Sequence, residues 1–322
     1  MDLKNKIGND IRLAEDILRN GGLVGIPTET VYGLAANALD TDAVLKIFKV
    51  KRRPLFDPLI LHVDCVEKAI KFGEFSSKKL SLLADKFWPG PLTILVPKKE
   101  IVPLLVTSGL EKVGLRIPNH PLTLDLLSNL DFPLAAPSAN PFGYISPTHA
   151  QHVADQLGDE IDYILEGGNC KVGIESTIVT EEKGEIVICR LGGVSVEEIE
   201  AVVGRVGFSL NKSSNPNAPG QLKSHYSPLK PMELGDVNEL LVKHQNRKVA
   251  VLSFYSAFNR SNIVKSLWLS ESGSYEEAAR NLFAYLRILD QCEADIILAE
   301  RLPETFLGRA INDRLNRAAA EK

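Results

Sequence analysis

Hydrophobic and polar positions along the chain predict short strands that alternate with helices. Apolar side chains recur at helical spacing over residues 7–18, and the Asn20-Gly21-Gly22 segment ends this amphipathic helix because glycine readily adopts the left-handed conformation. A second helix is predicted up to Pro54, with either Asp40 or Thr41 as its N-cap. Further helical patterns occupy residues 77–87, 120–130, 148–157 and 195–203.

Short apolar runs predict the strands. They occupy residues 23–27, 58–63, 91–97, 113–118, 133–137, 161–167, 175–180 and 185–191. Farther along the chain, helical patterns at 236–244, 274–290 and 304–319 alternate with strand patterns at 248–254 and 294–300. This alternation predicts an α/β fold, with a second, smaller Rossmann-like α/β unit after the first.

A change in composition divides the chain into two predicted domains. The length of 322 residues by itself suggests two. Of the 18 prolines, 13 lie between Pro27 and Pro147, whereas residues 211–231 are rich in Asn, Ser and Pro and have no apolar periodicity. We therefore predict a first domain over residues 1–210, a linker over 211–231 and a second domain over 232–322.

Composition and charge exclude several classes of protein. Hydrophobic residues make up 44% of the chain and charged residues 24%, which argues against disorder and fibrous repeats. A net charge of −4 argues against a protein that mainly binds nucleic acid non-specifically. The four cysteines are widely spaced, without a C-x-x-C pair, so they predict neither a zinc site nor a disulfide framework. With no signal-peptide core and no apolar stretch of about 18 residues, we expect a cytoplasmic protein with no membrane partner.

The common sequence signatures of nucleotide-binding and hydrolytic enzymes are absent. The chain has no P-loop, no G-x-G-x-x-G, no H-E-x-x-H and no G-x-S-x-G motif. Polar residues stand instead at the ends of predicted strands, where α/β folds usually bind their ligands. They occur in the segments 27–34, 49–54, 58–63, 113–118, 137–140, 175–177 and 190–192.

Two of these segments have a structural as well as a functional interpretation. The hydroxyls of Thr28 and Thr30 either belong to a capped strand-to-helix turn or hold a small polar ligand. Four positive charges fall within five residues just before Pro54. They form either a solvated helix end, where cations are favourable, or a clamp for a polyphosphate.

Two residues inside apolar runs leave a similar choice open. His62 is either a hydrogen-bonded core histidine or a ligand-binding group. Arg116 needs a buried anionic partner, because an unpaired buried charge is very costly. That partner is either a carboxylate of the protein or a carboxylate of a ligand.

In their order along the chain these segments resemble the YrdC-like domain. The shared motifs are P-T-E-T-V-Y-G-L, K-x-R-P followed by D-P-L-I-x-H, W-P-G-P-L-T, R-I-P, A-P-S-A-N and E-S-T-I. With H-Y-x-P at residues 225–228 and a C-terminal α/β domain, the whole chain resembles the two-domain L-threonylcarbamoyladenylate synthases. The resemblance implies a twisted mixed sheet with the site on its concave face, and a linker that folds over the active site.

The resemblance also implies an activity. Members of this family condense L-threonine, bicarbonate or CO2, and ATP into L-threonylcarbamoyl-AMP and release pyrophosphate. Their product feeds a transferase complex that modifies the adenosine next to the anticodon of tRNA. The resemblance therefore implies a nucleotidyltransferase that uses Mg²⁺ with ATP and makes at most a weak contact with tRNA. The alternatives are a non-catalytic protein that binds double-stranded RNA or tRNA, and a carbamoyl transferase of the hydrogenase-maturation type, whose zinc-finger and acylphosphatase-like segments this sequence lacks.

The family's site residues carry over to matching positions of this sequence. Those expected to hold L-threonine are Thr30, His62, Arg116, Ala136 and Ser176. Those expected around ATP are Lys51, Arg53, Asp57, Lys112, Ser138, Asn140, Ser146, Arg190, His225 and Tyr226. Lys51 and Arg53 are the catalytic candidates, because they fall where the family grips the phosphates. The resemblance gives no protein ligand for Mg²⁺.

Overall fold

Two β-sheets organise the described part of the chain, which in this computed structural model is residues 6–210 and 225–320. The larger sheet has eleven strands and is mixed, and the smaller has four strands that all run parallel. The predicted mixed sheet with a second, smaller Rossmann-like α/β unit is therefore confirmed. Residues 211–224 lie outside the described residues, so the structure describes the predicted linker only from His225 onward.

The large sheet is built from the first part of the chain. Its strands are β1 (Ile7–Gly8), β2 (Val24–Ile26), β3 (Gly33–Asn37), β4 (Ile60–His62), β5 (Leu92–Pro97), β6 (Lys112–Arg116), β7 (Leu134–Ala135), β8 (Tyr163–Leu165), β9 (Thr177–Glu182), β10 (Glu185–Arg190) and β11 (Gly207–Phe208). Their order across the sheet is β1-β8-β2-β3-β7-β4-β6-β5-β9-β10-β11. The helices of this part are α1 (Ile11–Arg19), α2 (Thr41–Lys51), α3 (Val66–Ala69), α4 (Lys78–Phe87), α5 (Leu104–Thr107), α6 (Pro121–Asn129), α7 (Ala150–Leu157) and α8 (Val196–Val203).

The smaller sheet follows the linker. Its strands are β12 (Met232–Gly235), β13 (Val249–Ser253), β14 (Ile263–Trp268) and β15 (Ile296–Glu300), in the order β12-β15-β13-β14. Its helices are α9 (Val237–Lys243), α10 (Tyr275–Gln291) and α11 (Leu307–Ala318). Helices α10 and α11 pack against each other and face the large-sheet part of the molecule.

Local sequence signals set the ends of the first two helices. Gly21 follows α1 with a φ of 71°, as expected for the glycine after a helix C-cap. Asp40 caps α2 by accepting hydrogen bonds from two backbone N–H groups of the first turn. Helix α2 ends at Lys51 rather than at Pro54, because Arg52 already adopts a left-handed conformation with a φ of 52°.

Strands β1, β3, β11, β12 and β14 were not among the predicted elements, and β1 lies in a segment predicted as helix. Strand β3 has the sequence GLAAN, whose small residues give no β-branched signal. It pairs antiparallel with both β2 and β7, so its neighbours in the sheet rather than its own composition make it a strand. Strand β14 lies at the edge of the smaller sheet and is mostly half-buried or exposed, so it lacks a continuous apolar run.

The two parts of the molecule share a hydrophobic interface. Val31, Ile145 and Ile174 from the large-sheet part belong to the same buried cluster as the core residues of α10 and α11. Arg287 on α10 reinforces the interface by donating hydrogen bonds to the backbone carbonyls of Ile145 and Ser146. The second unit is therefore docked on the side of the large sheet that carries the polar strand ends. The exact domain boundaries remain a prediction.

Candidate active site

A pocket lies where strand ends of the large sheet meet the first described residues after residue 224. Ten of the predicted site residues line it: Thr30, Arg53, His62, Arg116, Ala136, Ser138, Ser176, Arg190, His225 and Tyr226. They come from the β2–β3 connection, the turn after α2, the last residues of β4, β6 and β10, and the segments after β7 and before β9. The fold thus brings together side chains that lie far apart in the sequence.

The other five predicted residues, Lys51, Asp57, Lys112, Asn140 and Ser146, do not line this pocket. Lys51 lies behind the lining, where its Nζ donates hydrogen bonds of 2.5 Å to the carbonyls of Ser138 and Asn140. Lys112 donates to the Thr180 hydroxyl at 2.8 Å. Asp57 and Ser146 bind lining residues, as described below. Lys51, Asp57, Asn140 and Ser146 therefore support the pocket wall without lining the pocket. Lys112 neither lines the pocket nor contacts a lining residue through this bond.

The cationic run at the end of α2 divides into buried and exposed members. Lys51 is buried and so is Arg53, whose guanidinium contacts the Asp57 carboxylate at 2.9 Å. Lys49 and Arg52 are exposed. Lys49 and Lys51 are two residues apart on α2 and so lie on different sides of the helix, and the left-handed turn at Arg52 then redirects the chain before Arg53. A solvated helix end therefore describes two of the four cations, and the other two form part of the site.

Arg116 has a protein carboxylate as its partner. Its Nη2 lies 2.8 Å from Glu29 Oε1 and also donates to the Thr30 hydroxyl at 2.9 Å. The second carboxylate oxygen of Glu29 accepts from the backbone N–H of Asn119. Glu29, a residue to which the sequence analysis assigned no role, is thus the protein carboxylate that pairs with Arg116, and a contact with a ligand carboxylate stays a prediction.

Hydroxyl groups line the pocket next to its cations. Thr28 caps the turn after β2 by accepting from the backbone N–H groups of Thr30 and Val31. Thr30 also lines the pocket, but the turn leads from β2 to strand β3, so the predicted strand-to-helix turn is wrong in its second element, and ligand binding by these hydroxyls stays a prediction. On the opposite side, the hydroxyl of Ser176 accepts from Arg190 at 3.0 Å and lies 2.7 Å from the Thr93 hydroxyl.

Burial controls the electrostatics of the site. Burial, together with the nearby Arg116 charge, lowers the pKa of His62 to about 3, so this histidine is neutral at physiological pH. Burial also lowers the pKa of Arg190 to about 10, which leaves the guanidinium charged. The pocket therefore combines guanidinium cations with neutral donors, which is the chemistry that binds carboxylates and phosphates.

His225 and Tyr226 close one side of the pocket. Tyr226 is fully buried, stacks on Phe283 of α10 with 5.4 Å between ring centroids, and has a φ of 61°. The backbone N–H of His225 donates to the carbonyl of Arg317 on α11. Burial and the charge of Arg53 lower the pKa of His225 well below its ordinary value. This described part of the predicted linker is therefore held by the second unit.

Glu175 and Arg314 belong to the same wall, although the sequence gave neither of them a role. Glu175 lines the pocket and accepts from the Ser146 hydroxyl at 2.6 Å and from Arg314 Nε at 3.0 Å. Glu175 belongs to the segment 175–177 that the sequence analysis singled out, and it opens the E-S-T-I motif. Arg314 lies in α11, 139 positions farther along the chain, and no sequence motif surrounds it.

The described residues do not fit a Mg²⁺ ion held by the protein. No group of three or more His, Cys, Asp or Glu side chains within them is arranged to hold a metal. The three carboxylates at the site, Glu29, Asp57 and Glu175, each form an ion pair with an arginine. We therefore derive no step through a protein-bound metal.

Two family profiles match the chain one after the other. The first, described as "Telomere recombination" and covering the Sua5, YciO and YrdC proteins, matches residues 16–192. The second, described as "Threonylcarbamoyl-AMP synthase, C-terminal domain", matches residues 194–320. Within the described residues, no helix is both long enough and apolar enough to span a membrane.

Relatives that match over nearly their full length are named threonylcarbamoyl-AMP synthase, as is the second profile. The threonylcarbamoyl-AMP synthase of Pyrococcus abyssi is 39% identical over 324 residues, which cover 96% of this chain and 94% of that protein. The threonylcarbamoyl-AMP synthase of Bacillus subtilis is 38% identical over 331 residues, covering 97% and 94%. A solved structure of P. abyssi Sua5 complexed with L-threonine superposes with a TM-score of 0.89 at 38% identity, over 96% of this chain and 94% of that one.

Proposed function

The chain belongs to the family of two-domain threonylcarbamoyl-AMP synthases, and on that premise we propose that it condenses L-threonine, bicarbonate or CO2, and ATP into L-threonylcarbamoyl-AMP with release of pyrophosphate. The observation that carries the proposal is the pocket itself, in which Arg53, Arg116 and Arg190 surround neutral hydroxyl donors. Such a pocket suits a substrate with one carboxylate and a second with several phosphates. The solved P. abyssi relative with bound L-threonine supports the amino-acid part.

The proposed reaction has two steps and needs no strong protein base. The threonine amine first adds to CO2 to give a carbamate and a proton, or reacts with bicarbonate to give the carbamate and water. One carbamate oxygen then attacks the α-phosphorus of ATP, the bond to the bridging oxygen breaks, and pyrophosphate leaves. Because the nucleophile is already an anion, catalysis consists mainly of positioning and charge neutralisation.

The threonine half of the site is proposed to lie around Arg116. Its guanidinium would donate to the amino-acid carboxylate beside Glu29, with Thr30 and Ser176 offering hydroxyls and the backbone near Ala136 completing the wall. His62 is neutral and buried, and it is the register partner of Arg116 across β4 and β6, so it would act as a neutral hydrogen-bonding group and not as a cation.

The nucleotide half is proposed to lie between Arg53, Arg190 and the His225–Tyr226 segment. The two guanidinium groups would neutralise phosphate charge, while Ser138 lines the same region and Lys51 holds its carbonyl. Asp57, Asn140 and Ser146 would contribute through the lining residues that they bind, and Lys112 stays a proposed ATP contact. Mg²⁺ would enter as part of the nucleotide substrate, held by phosphate oxygens and water.

The wider role is also a proposal. We expect the product to serve a transferase complex that modifies the adenosine next to the tRNA anticodon, in the cytoplasm. The linker and the second unit would act as a lid that keeps water from the reactive product. Contacts between α11 and His225 support this idea, because they connect the second unit directly to the pocket wall.

Pyrophosphate release by the full chain tests the proposal most directly. The assay supplies ATP, Mg²⁺ and bicarbonate and compares L-threonine, L-serine and no amino acid, while mass spectrometry of the fresh mixture identifies the adduct. We expect pyrophosphate and threonylcarbamoyl-AMP to appear together and only with amino acid. Release that is independent of amino acid, or no release at all, would reject the proposal. A gel shift with tRNA in moderate salt, run on the same preparation, tests the RNA-binding alternative.

A further inference from the structure

Arg314 reaches the pocket wall from the second unit of the protein. It lies on α11, and none of its side chain is exposed. Its Nε donates to Glu175 at 3.0 Å, and its guanidinium carbon lies 5.4 Å from the centre of the Tyr226 ring. Both Glu175 and Tyr226 line the pocket. One side chain from the second unit thus contacts two residues of the proposed nucleotide site.

Glu175 presents a problem that Arg314 solves. A carboxylate in the wall of a pocket for ATP repels the phosphates unless a cation neutralises it. Within the described residues, Glu175 forms one ion pair, and its partner is Arg314. The other Glu175 oxygen accepts from the hydroxyl of Ser146, which is a neutral donor. Arg190 also interacts electrostatically with Glu175, but without Arg314 this buried carboxylate would lose its one ion pair within the described residues.

The surroundings of Arg314 keep its own charge balanced. Asp313 lies 3.0 Å from Arg314 and also 3.0 Å from Arg317, so two carboxylates and two guanidinium groups alternate through this cluster. The cluster leads to the carbonyl of Arg317, which accepts from the backbone N–H of His225. The same turn of α11 therefore contacts both Glu175 and the described part of the predicted linker.

We propose that Arg314 is a positioning residue of the active site, supplied by the second unit, which neutralises Glu175 and fixes Tyr226 so that the anionic nucleotide can bind. This inference rests on the proposed function, because it takes ATP as the ligand of this side of the pocket. It gives the second unit a role in substrate affinity that goes beyond covering the site.

The test uses the full chain with Arg314→Gln and compares it with the double variant Arg314→Gln/Glu175→Gln. In the single variant the unneutralised Glu175 should raise KM for ATP by roughly 30-fold while kcat and KM for threonine change little. In the double variant the repelling carboxylate is gone, and most of the ATP affinity should return. A residue that only stabilised the fold would not be rescued by removing Glu175.

Arg309→Gln is the matched control, because Arg309 also lies on α11 and also pairs with the large-sheet part of the chain. Its Nη1 contacts Glu197 at 2.7 Å, about one-third of each side chain is exposed, and neither residue lines the pocket. We expect this variant to keep the wild-type KM for ATP. Equal KM values for ATP in the Arg309→Gln and Arg314→Gln variants would overturn the proposal.

Folding and the proposed function are separated by two further measurements. Thermal unfolding shows whether each variant folds. If Arg314→Gln is unfolded while the double variant is folded and binds ATP, the neutralising role of Arg314 is supported. A double variant that recovers neither folding nor nucleotide affinity contradicts it. Calorimetry with a non-hydrolysable ATP analogue measures nucleotide binding without turnover. If the wild-type protein binds the analogue but releases no pyrophosphate in the presence of threonine, the proposed function is rejected. The analogue affinities of the Arg314→Gln and double variants then still test the role of Arg314.

Discussion

Glu29 and Arg116 form an ion pair 2.8 Å long at the pocket wall, of which Arg116 is a lining residue, and 5% of each side chain is exposed. The two residues are brought together by the connection after β2 and the end of β6, which lie far apart in the sequence. The guanidinium also donates to Thr30, so its position is fixed before any ligand binds. Glu29 thus keeps Arg116 neutralised and oriented toward the place proposed for the threonine carboxylate.

Replacing Arg116 should weaken the binding of L-threonine. In Arg116→Gln the amino-acid carboxylate loses its charged partner, and we expect the Kd measured by calorimetry to rise about 100-fold, equivalent to about 3 kcal/mol. Arg116→Gln/Glu29→Gln controls for the carboxylate left unpaired, and it should bind threonine as poorly as the single variant. Unchanged affinity in the single variant would contradict the assignment of Arg116.

The buried cations after α2 should control turnover. Lys51→Ala removes the bonds that hold the Ser138 and Asn140 carbonyls, and Arg53→Ala removes a cation from the pocket lining. For each we expect pyrophosphate release to fall by two orders of magnitude or more, equivalent to roughly 3 kcal/mol.

Lys49→Ala is the matched control for these two variants, because Lys49 belongs to the same cationic run but is exposed. Its rate should stay close to that of the wild type. If Lys51→Ala or Arg53→Ala retained a rate within about tenfold of the wild type, that residue would not belong to the phosphate clamp.

His62 should make the stability of the protein depend on pH. Burial lowers its pKa from 6.5 to about 3, so between these values the unfolded chain binds a proton that the folded chain does not. The free energy of unfolding should therefore fall as the pH drops below 6.5, by about 2 kcal/mol between pH 7 and pH 5 from this residue alone. Urea unfolding at the two pH values should show a smaller difference in His62→Gln, and an equal difference would exclude His62 as its source.

Much of the fold is predictable because its signals are local. The N-cap at Asp40 and the glycine after α1 act within a few residues, and both are present as expected. Strand β3 is different, because its small residues become a strand only when β2 and β7 lie on either side of it. Pairing partners of that kind are set by the tertiary structure, which short sequence patterns do not report.

The residues of the site also divide into those that short sequence motifs indicate and those that only the tertiary structure identifies. Motif residues such as Thr30 and Ser176 stand at strand ends, and the resemblance of their motifs to the YrdC-like domain implied a shared site; both line the same pocket. The partners of the charged residues were not predictable, since Glu29 and Arg314 are identified by contacts across the fold and not by spacing. Arg314 also reaches the site from the unit whose role the sequence specified least.

Gly173 allows the second unit to dock closely, and its replacement should disturb that docking. Its φ is 80°, and a Cβ atom there would lie 2.4 Å from the Cα of Arg280 on α10, so Gly173→Ala forces the helix away. Gly184→Ala is the matched control, because Gly184 has a φ of 81° with nothing within 4 Å of its Cβ position. In thermal unfolding, both variants should lose about 1–2 kcal/mol of stability from backbone strain. Only Gly173→Ala should also lower pyrophosphate release, because the positions of Tyr226 and Arg314 depend on the docked unit. Equal activity in the two variants would show that close docking of α10 is not needed for the reaction.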